Sequence, residues 1–226
     1  MGFNATRHVS LIRPIRVYQS FPPKFIEAIS SLQDGCPNHA WSYTESVLHS
    51  VYGPQWKSLF EFTNKVPIAS GAIAQVYKAR LAIDGSDVAL KILHPNIEAL
   101  VAVDLTLMKW GAWLAGWLPG ATYLQLEEGV SQFSKNMIEQ LNLRNEAKNL
   151  IRFNKDFLGY TKIIFPRPIH HMTSRQILVE TFETGLSLRT YLREPRIPAE
   201  RRQLARLGLK TFLTMLLVNN FIHADM

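Results

Sequence analysis

The sequence predicts an α+β fold in which helices surround a small antiparallel sheet. Short apolar runs of alternating period lie between Phe60 and Leu93, and an Asp84-Gly85 turn separates two of them. On both sides of this region the apolar residues recur at helical spacing. The chain has 226 residues, of which 47% are hydrophobic and 19% charged. That composition excludes collagen-like, coiled-coil and wholly disordered proteins.

Two helices and three strands are predicted in the first part of the chain. The first helix begins at Pro23 and stops at Gly35, and the second covers Thr44–Tyr52 before Gly53-Pro54. The strands are predicted at about Glu61–Ile68, Ala74–Leu81 and Asp87–Leu93.

The second part alternates between helices and strands. A helical pattern runs from Ile97 to Asn154, with a break expected near Asn142. Strands are then predicted at Ile163–Pro168 and Gln176–Phe182, and helices at Leu186–Leu192 and Glu200–Asn220.

The charge balance favours an anionic partner. There are 25 basic and 18 acidic residues, a net charge of +7, which suits nucleotide, nucleic acid or acidic lipid, or simply solubility. No run of five Lys or Arg and no basic aromatic patch occurs, so nucleic acid is not expected. A single cysteine, Cys36, excludes a disulfide framework.

The first 26 residues carry four bases and no acid. This pattern is typical of a mitochondrial transit peptide, although an ordinary extended N-terminus has the same composition.

Four features along the chain carry chemistry. The small residues Ala69-Ser70-Gly71-Ala72 lie between two strands, where backbone N–H groups can approach a phosphate; a plain hairpin turn is the alternative. Lys91 ends the run Val88-Ala89-Leu90-Lys91, in the pattern of the kinase strand lysine that pairs with phosphates and a helix glutamate. An edge-strand lysine in solvent would show the same pattern.

The glutamate partner is expected on a later helix. Glu146 borders an apolar stripe and is the first candidate, and Glu139 is the second; either one is otherwise a solvated helix carboxylate. Near the C-terminus, His223-Ala224-Asp225 follows an amphipathic helix, where kinases place a catalytic His-x-Asp.

Together these motifs resemble the UbiB family of atypical kinase-like proteins, also called aarF-domain-containing kinases. The resemblance runs from about Pro22 to Met226 and rests on four segments in order: Val66–Ala79, Val88–Pro95, Asn145–Leu150 and His223–Asp225. Within the family, Leu178–Glu183 most resembles the animal subfamily called the second aarF-domain-containing kinase.

The resemblance implies a protein-kinase-like fold with three parts. These are an N-terminal extension (1–59), a kinase-like N-lobe with a helical insert (60–183) and the start of a helical second lobe (184–226). It also implies mitochondrial placement, ATP with Mg²⁺, and a role linked to coenzyme Q and lipid metabolism, with a membrane surface as a further partner.

The resemblance also assigns roles to individual residues. Ala69, Ser70, Gly71 and Ala72 would cover the phosphates, Lys91 would pair with Glu146 and the nucleotide, and Asp225 would be the catalytic acid. Glu180, Thr181 and Phe182 would form the hinge facing adenine.

Where the chain departs from the family pattern, its chemistry changes. Gln140 and Asn142 stand where the family has Glu-x-Asp, and the Lys-x-Gly-Gln motif is absent near Val9–Ile12. The family's metal-binding Asn and Asp would follow residue 226, so no metal ligand is assigned. We therefore expect this chain to bind nucleotide weakly or not at all, and not to turn it over. A catalytically inactive scaffold that binds nucleotide, lipid or proteins is the alternative.

Three tryptophans form a further candidate surface. Trp110, Trp113 and Trp117 are spaced by three and four residues in the nearly apolar run Leu105–Ala121. This stripe is expected to lie either in the core or against a membrane.

Overall fold

The computed structural model describes residues 38–118, 125–185, 188, 191 and 198–222. The helix predicted from Pro23 and the residues His223–Asp225 lie outside this part of the chain. So does the helix predicted at Leu186–Leu192, apart from Leu188 and Tyr191.

A five-stranded antiparallel sheet forms the centre of the described structure. Its strands are β1 (Phe60–Glu61), β2 (Ala69–Ser70), β3 (Ala74–Leu81), β4 (Asp87–Leu93) and β5 (Ile177–Thr181). The order is β1-β3-β4-β5, and β2 also pairs with β3. The bounds predicted for β3 and β4 are confirmed, and Gly85 takes the positive φ of 71° that their hairpin needs.

Two predicted strands are wrong. Glu61–Ile68 does not form one strand, because Asn64 Oδ1 accepts the Val66 N–H at 3.1 Å and Pro67 has no N–H to donate. Ile163–Pro168 contributes one isolated bridge, from Pro168 to Glu180. Prolines at 166 and 168 remove ladder donors there.

Five α-helices are described. They are α1 (Trp41–Tyr52), α2 (Ile97–Ala115), α3 (Leu126–Gln140), α4 (Leu143–Asp156) and α5 (Pro198–Leu213). The break predicted near Asn142 is confirmed between α3 and α4. Two short 3₁₀ turns occupy Pro54–Ser58 and His170–Met172, and a π-helical turn, Thr214–Val218, continues α5. None of the described helices is long and apolar enough to cross a membrane.

The sheet has an apolar cluster on each face. One face packs against α1 through Leu48 and against the 3₁₀ turn Pro54–Ser58 through Trp56, with Tyr77 and Leu90 fully buried. The opposite face packs against α2 and α4; its buried residues are Ala74, Leu93, Ile97, Val101, Leu105, Leu141, Leu143, Ala147, Leu150 and Leu178. This second face carries the candidate site.

A third cluster joins the end of α4 to the π-helical turn. Phe153, Phe157 and Met215 are buried there. Arg152 donates to the Asn219 carbonyl at 3.1 Å, and its guanidinium lies 4.0 Å from the centre of the Phe221 ring. The last described residues are therefore held against the helix that carries Glu146.

Candidate functional site

Lys91 lies on the α4 side of the sheet because side chains alternate along β4. Leu90 and Ile92 are fully buried in the α1-side cluster, so Lys91 between them points the other way. The register aligns Lys91 with Val76 on one neighbouring strand and with Leu178 on the other. The lysine thus stands in the middle of the sheet rather than at its edge.

Helix α4 brings Glu146 to this lysine. The helix begins where Asn142 Oδ1 accepts the Arg144 N–H at 3.1 Å, so this amide serves as an N-cap. Leu143, Ala147 and Leu150 then pack on the sheet. This fixes the side of the helix from which Glu146 projects.

The two side chains form a bidentate contact. Lys91 Nζ donates to Glu146 Oε1 at 2.8 Å and to Oε2 at 2.7 Å. The contact predicted from the sequence is confirmed, whereas the nucleotide-binding role of the two residues stays a prediction. The second candidate, Glu139, lies exposed on α3. The pair is partly open, with 29% of the lysine and 39% of the glutamate side chain exposed.

Glu180 adds a second carboxyl group to the same face. It pairs with Ala89, one row along the sheet from Lys91. Burial, and next the Glu146 carboxylate, raise the pKa of Glu180 to about 7, with Lys91 acting in the opposite direction. At neutral pH, therefore, a large fraction of Glu180 carries a proton.

The predicted phosphate loop is shorter than expected. Ala69 and Ser70 belong to β2 and pair with Val76 and Gln75, so the turn proper is residues 71–73. The register puts Ser70 on the α1 side of the sheet, away from Lys91.

The turn offers two backbone donors. Gly71 N–H already donates to the Ala74 carbonyl at 2.9 Å. Within the described part of the chain, the N–H groups of Ala72 and Ile73 have no acceptor. These two groups, with Lys91, form a donor set suited to an anion.

The three hinge residues have contacts of their own. The Thr181 hydroxyl donates to Glu183 at 2.7 Å. The Phe182 N–H donates to the Asp87 carbonyl at 3.2 Å, and the Lys78 ammonium lies 4.6 Å from the centre of its ring. The assignment of Thr181 and Phe182 to adenine stays a prediction.

Sequence reasoning missed the apolar side chains that lie beside Lys91 on the same face of the sheet. Val76 and Ala89 share its face of the sheet, through the rows Val76–Lys91–Leu178 and Lys78–Ala89–Glu180. The alternation of side chains along β3 places Val76 on this face, but only the register between β3 and β4 shows that it lies beside Lys91. Among the described residues, no three His, Cys, Asp or Glu side chains are placed to hold a metal ion.

The tryptophan stripe of α2 and the turn after it is exposed. Trp110, Trp113 and Trp117 are 69%, 53% and 75% exposed, so the expectation of core packing is wrong. The rings of Trp113 and Trp117 contact each other at a centroid distance of 5.3 Å. The membrane interpretation of the stripe stays a prediction.

Comparison with known proteins decides the family. The model of the ABC1 atypical kinase-like domain matches residues 31–226. The chain belongs to the ABC1 atypical kinase-like family. The predicted kinase-like α+β fold and the resemblance to UbiB proteins are thereby confirmed.

Relatives in this family come from eukaryotes and bacteria. A probable serine/threonine-protein kinase of Dictyostelium discoideum, abkC, is 36% identical over 207 residues, which cover 91% of this chain and 30% of that protein. A mitochondrial ABC1 family protein of Schizosaccharomyces pombe is 33% identical, covering 91% and 34%. The probable protein kinase UbiB of Aeromonas hydrophila is 30% identical, covering 91% and 38%. The chain thus spans about a third of the length of these curated relatives.

A solved structure shares the fold. It is the complex of Rv3197 with erythromycin from Mycobacterium tuberculosis, with a TM-score of 0.64 and 24% identity. The match covers 88% of this chain and 50% of that one.

Proposed function

We propose that the α4 side of the sheet binds adenine nucleotide, and that Lys91 is the residue that contacts its phosphates. The observation that carries this proposal is the bidentate Lys91–Glu146 contact at 2.7 and 2.8 Å in the middle of the sheet. In kinases a lysine so paired anchors the α- and β-phosphates.

The electrostatics support an anionic ligand at this face. A lysine ammonium has three donor protons, and Glu146 does not cover it completely, since 29% of the Lys91 side chain remains exposed. The ammonium can therefore also donate to a ligand. The raised pKa of Glu180 lowers the negative charge near pH 7 on the face that the phosphates would approach. The N–H groups of Ala72 and Ile73 would contact the same phosphates, and Val76 and Ala89 would lie under adenine.

The complete protein is proposed to be an ATPase or kinase-like enzyme of mitochondria, linked to coenzyme Q and lipid metabolism. Family membership and the mitochondrial yeast relatives support this placement. Mg²⁺, when bound with ATP, neutralises the phosphate charge. Asp225 would orient the hydroxyl that attacks.

Titration of the chain with a fluorescent ATP analogue, mant-ATP, tests nucleotide binding. Lys91→Met is expected to weaken binding by about tenfold or more, because a hydrogen bond to a charged group contributes roughly 1.5–3 kcal/mol. Lys57→Met, which removes an exposed lysine paired with Glu45 on the other side of the sheet, is the matched control. Equal affinities of the Lys91 and Lys57 variants would contradict the proposal.

Phosphate release separates an enzyme from a catalytically inactive scaffold. The complete protein is expected to release phosphate from ATP in a Mg²⁺-dependent reaction that Asp225→Asn abolishes. Nucleotide binding without any release above that variant would favour the scaffold.

A second proposal concerns the membrane surface, and the exposed tryptophans favour it. Tryptophan rings prefer the interface between lipid headgroups and acyl chains, and the three rings lie on one stripe. Lys109 beside them is long enough to reach headgroups with its ammonium. Helix α2 would then lie on the membrane.

A further inference from the structure

A chain of polar groups, buried at its centre and partly exposed at the two histidines, connects the segment before α1 to the β2–β3 turn. It starts at Gln75 and Tyr77 of β3, passes through Thr44 of α1, and reaches His39 and then His94. Thr44, Gln75 and Tyr77 are completely buried. Polar groups removed from water in this way need defined partners.

Each link is a short contact. Gln75 Nε2 contacts Tyr77 Oη, Tyr77 Oη lies 3.0 Å from Thr44 Oγ1, and Thr44 Oγ1 lies 2.9 Å from His39 Nε2. The two imidazoles meet through Nδ1 atoms 2.8 Å apart, and His94 Nε2 lies 2.9 Å from the Gly71 carbonyl oxygen. Gln75 also holds the His39 backbone at both its N–H and its carbonyl.

The Gly71 carbonyl fixes the direction of the two histidine contacts when both rings are neutral. A carbonyl only accepts, so His94 must carry its proton on Nε2 and accept at Nδ1. His39 must then donate from Nδ1 to His94. At the other end of the chain, the Gln75 amide donates to Tyr77. His39, His94 and the Gly71 carbonyl therefore form one unidirectional relay.

His94 holds the turn at two points. Its imidazole contacts the Gly71 carbonyl, and its backbone N–H donates to the Ile73 carbonyl at 2.9 Å. Between these two anchored carbonyls lie the N–H groups of Ala72 and Ile73, which have no acceptor among the residues that the structure describes. The orientation of those donors consequently depends on His94.

We propose that His94 is a positioning residue for the phosphate-binding turn, and that His39 acts through it by fixing its tautomer. The inference rests on the proposed nucleotide binding. His94 reaches the turn from the α1 side of the sheet, whereas Lys91 acts from the α4 side. The two contributions are therefore separable by mutation.

The two imidazoles can carry no more than one positive charge between them. With both rings protonated, two N–H groups would face each other across 2.8 Å. Burial, and next the neighbouring His94, lower the pKa of His39 to about 4. Among the described residues, the titratable groups facing His39 are His94, Tyr43 of α1 and, through Thr44, Tyr77 of β3. Since this pKa lies below that of an unfolded histidine, the pair's contribution to stability is present above about pH 6.5 and is lost as the pH falls towards 4.

Substitutions of His94 test the positioning role through mant-ATP affinity. His94→Leu is expected to weaken binding by about tenfold, which corresponds to about 1.4 kcal/mol. His94→Gln keeps an N–H donor for the Gly71 carbonyl and is expected to retain most of the affinity. His49→Leu, which removes an exposed histidine of α1, is the control.

Two measurements without nucleotide make the test independent. Long-range ¹H–¹⁵N NMR is expected to show the Nε2–H tautomer of His94 in the wild type and a mixture of tautomers in His39→Leu. Hydrogen exchange of the Gly71 amide is expected to be slow in the wild type and in His94→Gln, and faster in His94→Leu.

The outcomes distinguish this inference from the function on which it rests. Loss of mant-ATP binding in Lys91→Met with unchanged affinity in His94→Leu overturns the positioning role alone. An Nδ1–H tautomer of His94 in the wild type also overturns it. Unchanged affinity in both variants overturns the proposed function as well.

Discussion

Helices α2 and α4 pack on the same face of the sheet, yet they differ in what they leave outside. Every residue of the apolar stripe of α4, from Leu143 to Phe153, is buried, and the remainder of that helix is polar except for Ile151, which is 45% exposed. Helix α2 buries Ile97, Val101, Leu105 and Ala112 but exposes a larger apolar set, which comprises Leu100, Val103, Leu107, Met108, Trp110, Trp113 and Leu114.

Burial within the chain therefore explains where the apolar residues of α4 lie, but it does not explain the exposed apolar residues of α2. A helix that only covers a sheet needs one apolar stripe. Helix α4 has that stripe and uses a polar position, Glu146, for the ion pair. The additional apolar surface of α2 is of the kind that marks an interaction site.

Truncation of one leucine on each helix gives the largest contrast in stability. Leu143 is 1% exposed, so Leu143→Ala leaves a cavity and is expected to lower the free energy of unfolding by about 2–5 kcal/mol. Leu107→Ala, at a position 63% exposed, is expected to change the free energy of unfolding by no more than about 0.5 kcal/mol. Urea unfolding measures both variants, and similar losses would remove the distinction between the helices.

Membrane affinity is the next largest expected effect. Changing Trp110, Trp113 and Trp117 together to Ser is expected to reduce flotation with liposomes by more than about tenfold, or about 1.4 kcal/mol. The control changes three exposed apolar residues elsewhere, Ile83, Leu158 and Ile164, to Ser. If both triple variants float as well as the wild type, α2 does not dock on lipid.

The N-termini of the two helices predict a smaller contrast. The Asn142 side chain caps α4, whereas Asn96 before α2 makes no cap hydrogen bond and has a φ of 55°. Asn142→Ala is expected to cost about 1 kcal/mol. Asn96→Gly relieves a positive φ and is expected to leave stability unchanged within about 0.5 kcal/mol. Thermal unfolding measures both, and a larger loss for Asn96→Gly would contradict the assignment of the caps.

The smallest expected effect is a pH dependence on the α4 side. The pKa of Glu180 is about 7 in the folded chain, above its ordinary value of 4.5. The unfolded chain therefore loses this proton first, and the stability of the wild type relative to Glu180→Gln is expected to fall as the pH rises from 4.5 to 7. Glu139→Gln, at an exposed position of α3, serves as the control in urea unfolding across this range. A stability difference that is constant with pH would contradict the raised pKa.

The parts of the fold with local signals were predictable from the sequence. The Asp84-Gly85 turn and the alternating runs defined β3 and β4, and the capping residue Asn142 marked the break between α3 and α4. The regions around Pro67 and Pro166 were wrongly predicted as strands, because their apolar spacing fits a β-ladder. The prolines, and near Pro67 the Asn64 side-chain acceptor, prevent that ladder from forming.

The candidate site divides in the same way. Lys91 and Glu146 could be paired from motif and order, since each stands beside an apolar pattern that fixes its direction. The row containing Val76 and Ala89 needed the strand register. The connection of His39 to His94 needed the tertiary packing of α1, because 54 residues separate the two histidines and no local pattern joins them.

The central claim is that Lys91 serves a nucleotide more than it serves the fold. Lys91→Met and Glu146→Gln are compared with the wild type and with Glu139→Gln, both for mant-ATP affinity and for the free energy of unfolding. We predict a loss of affinity of about tenfold or more for the first two, with stability changed by no more than about 1 kcal/mol, because the pair is partly exposed. Unchanged affinity together with a loss of several kcal/mol in stability would contradict the claim.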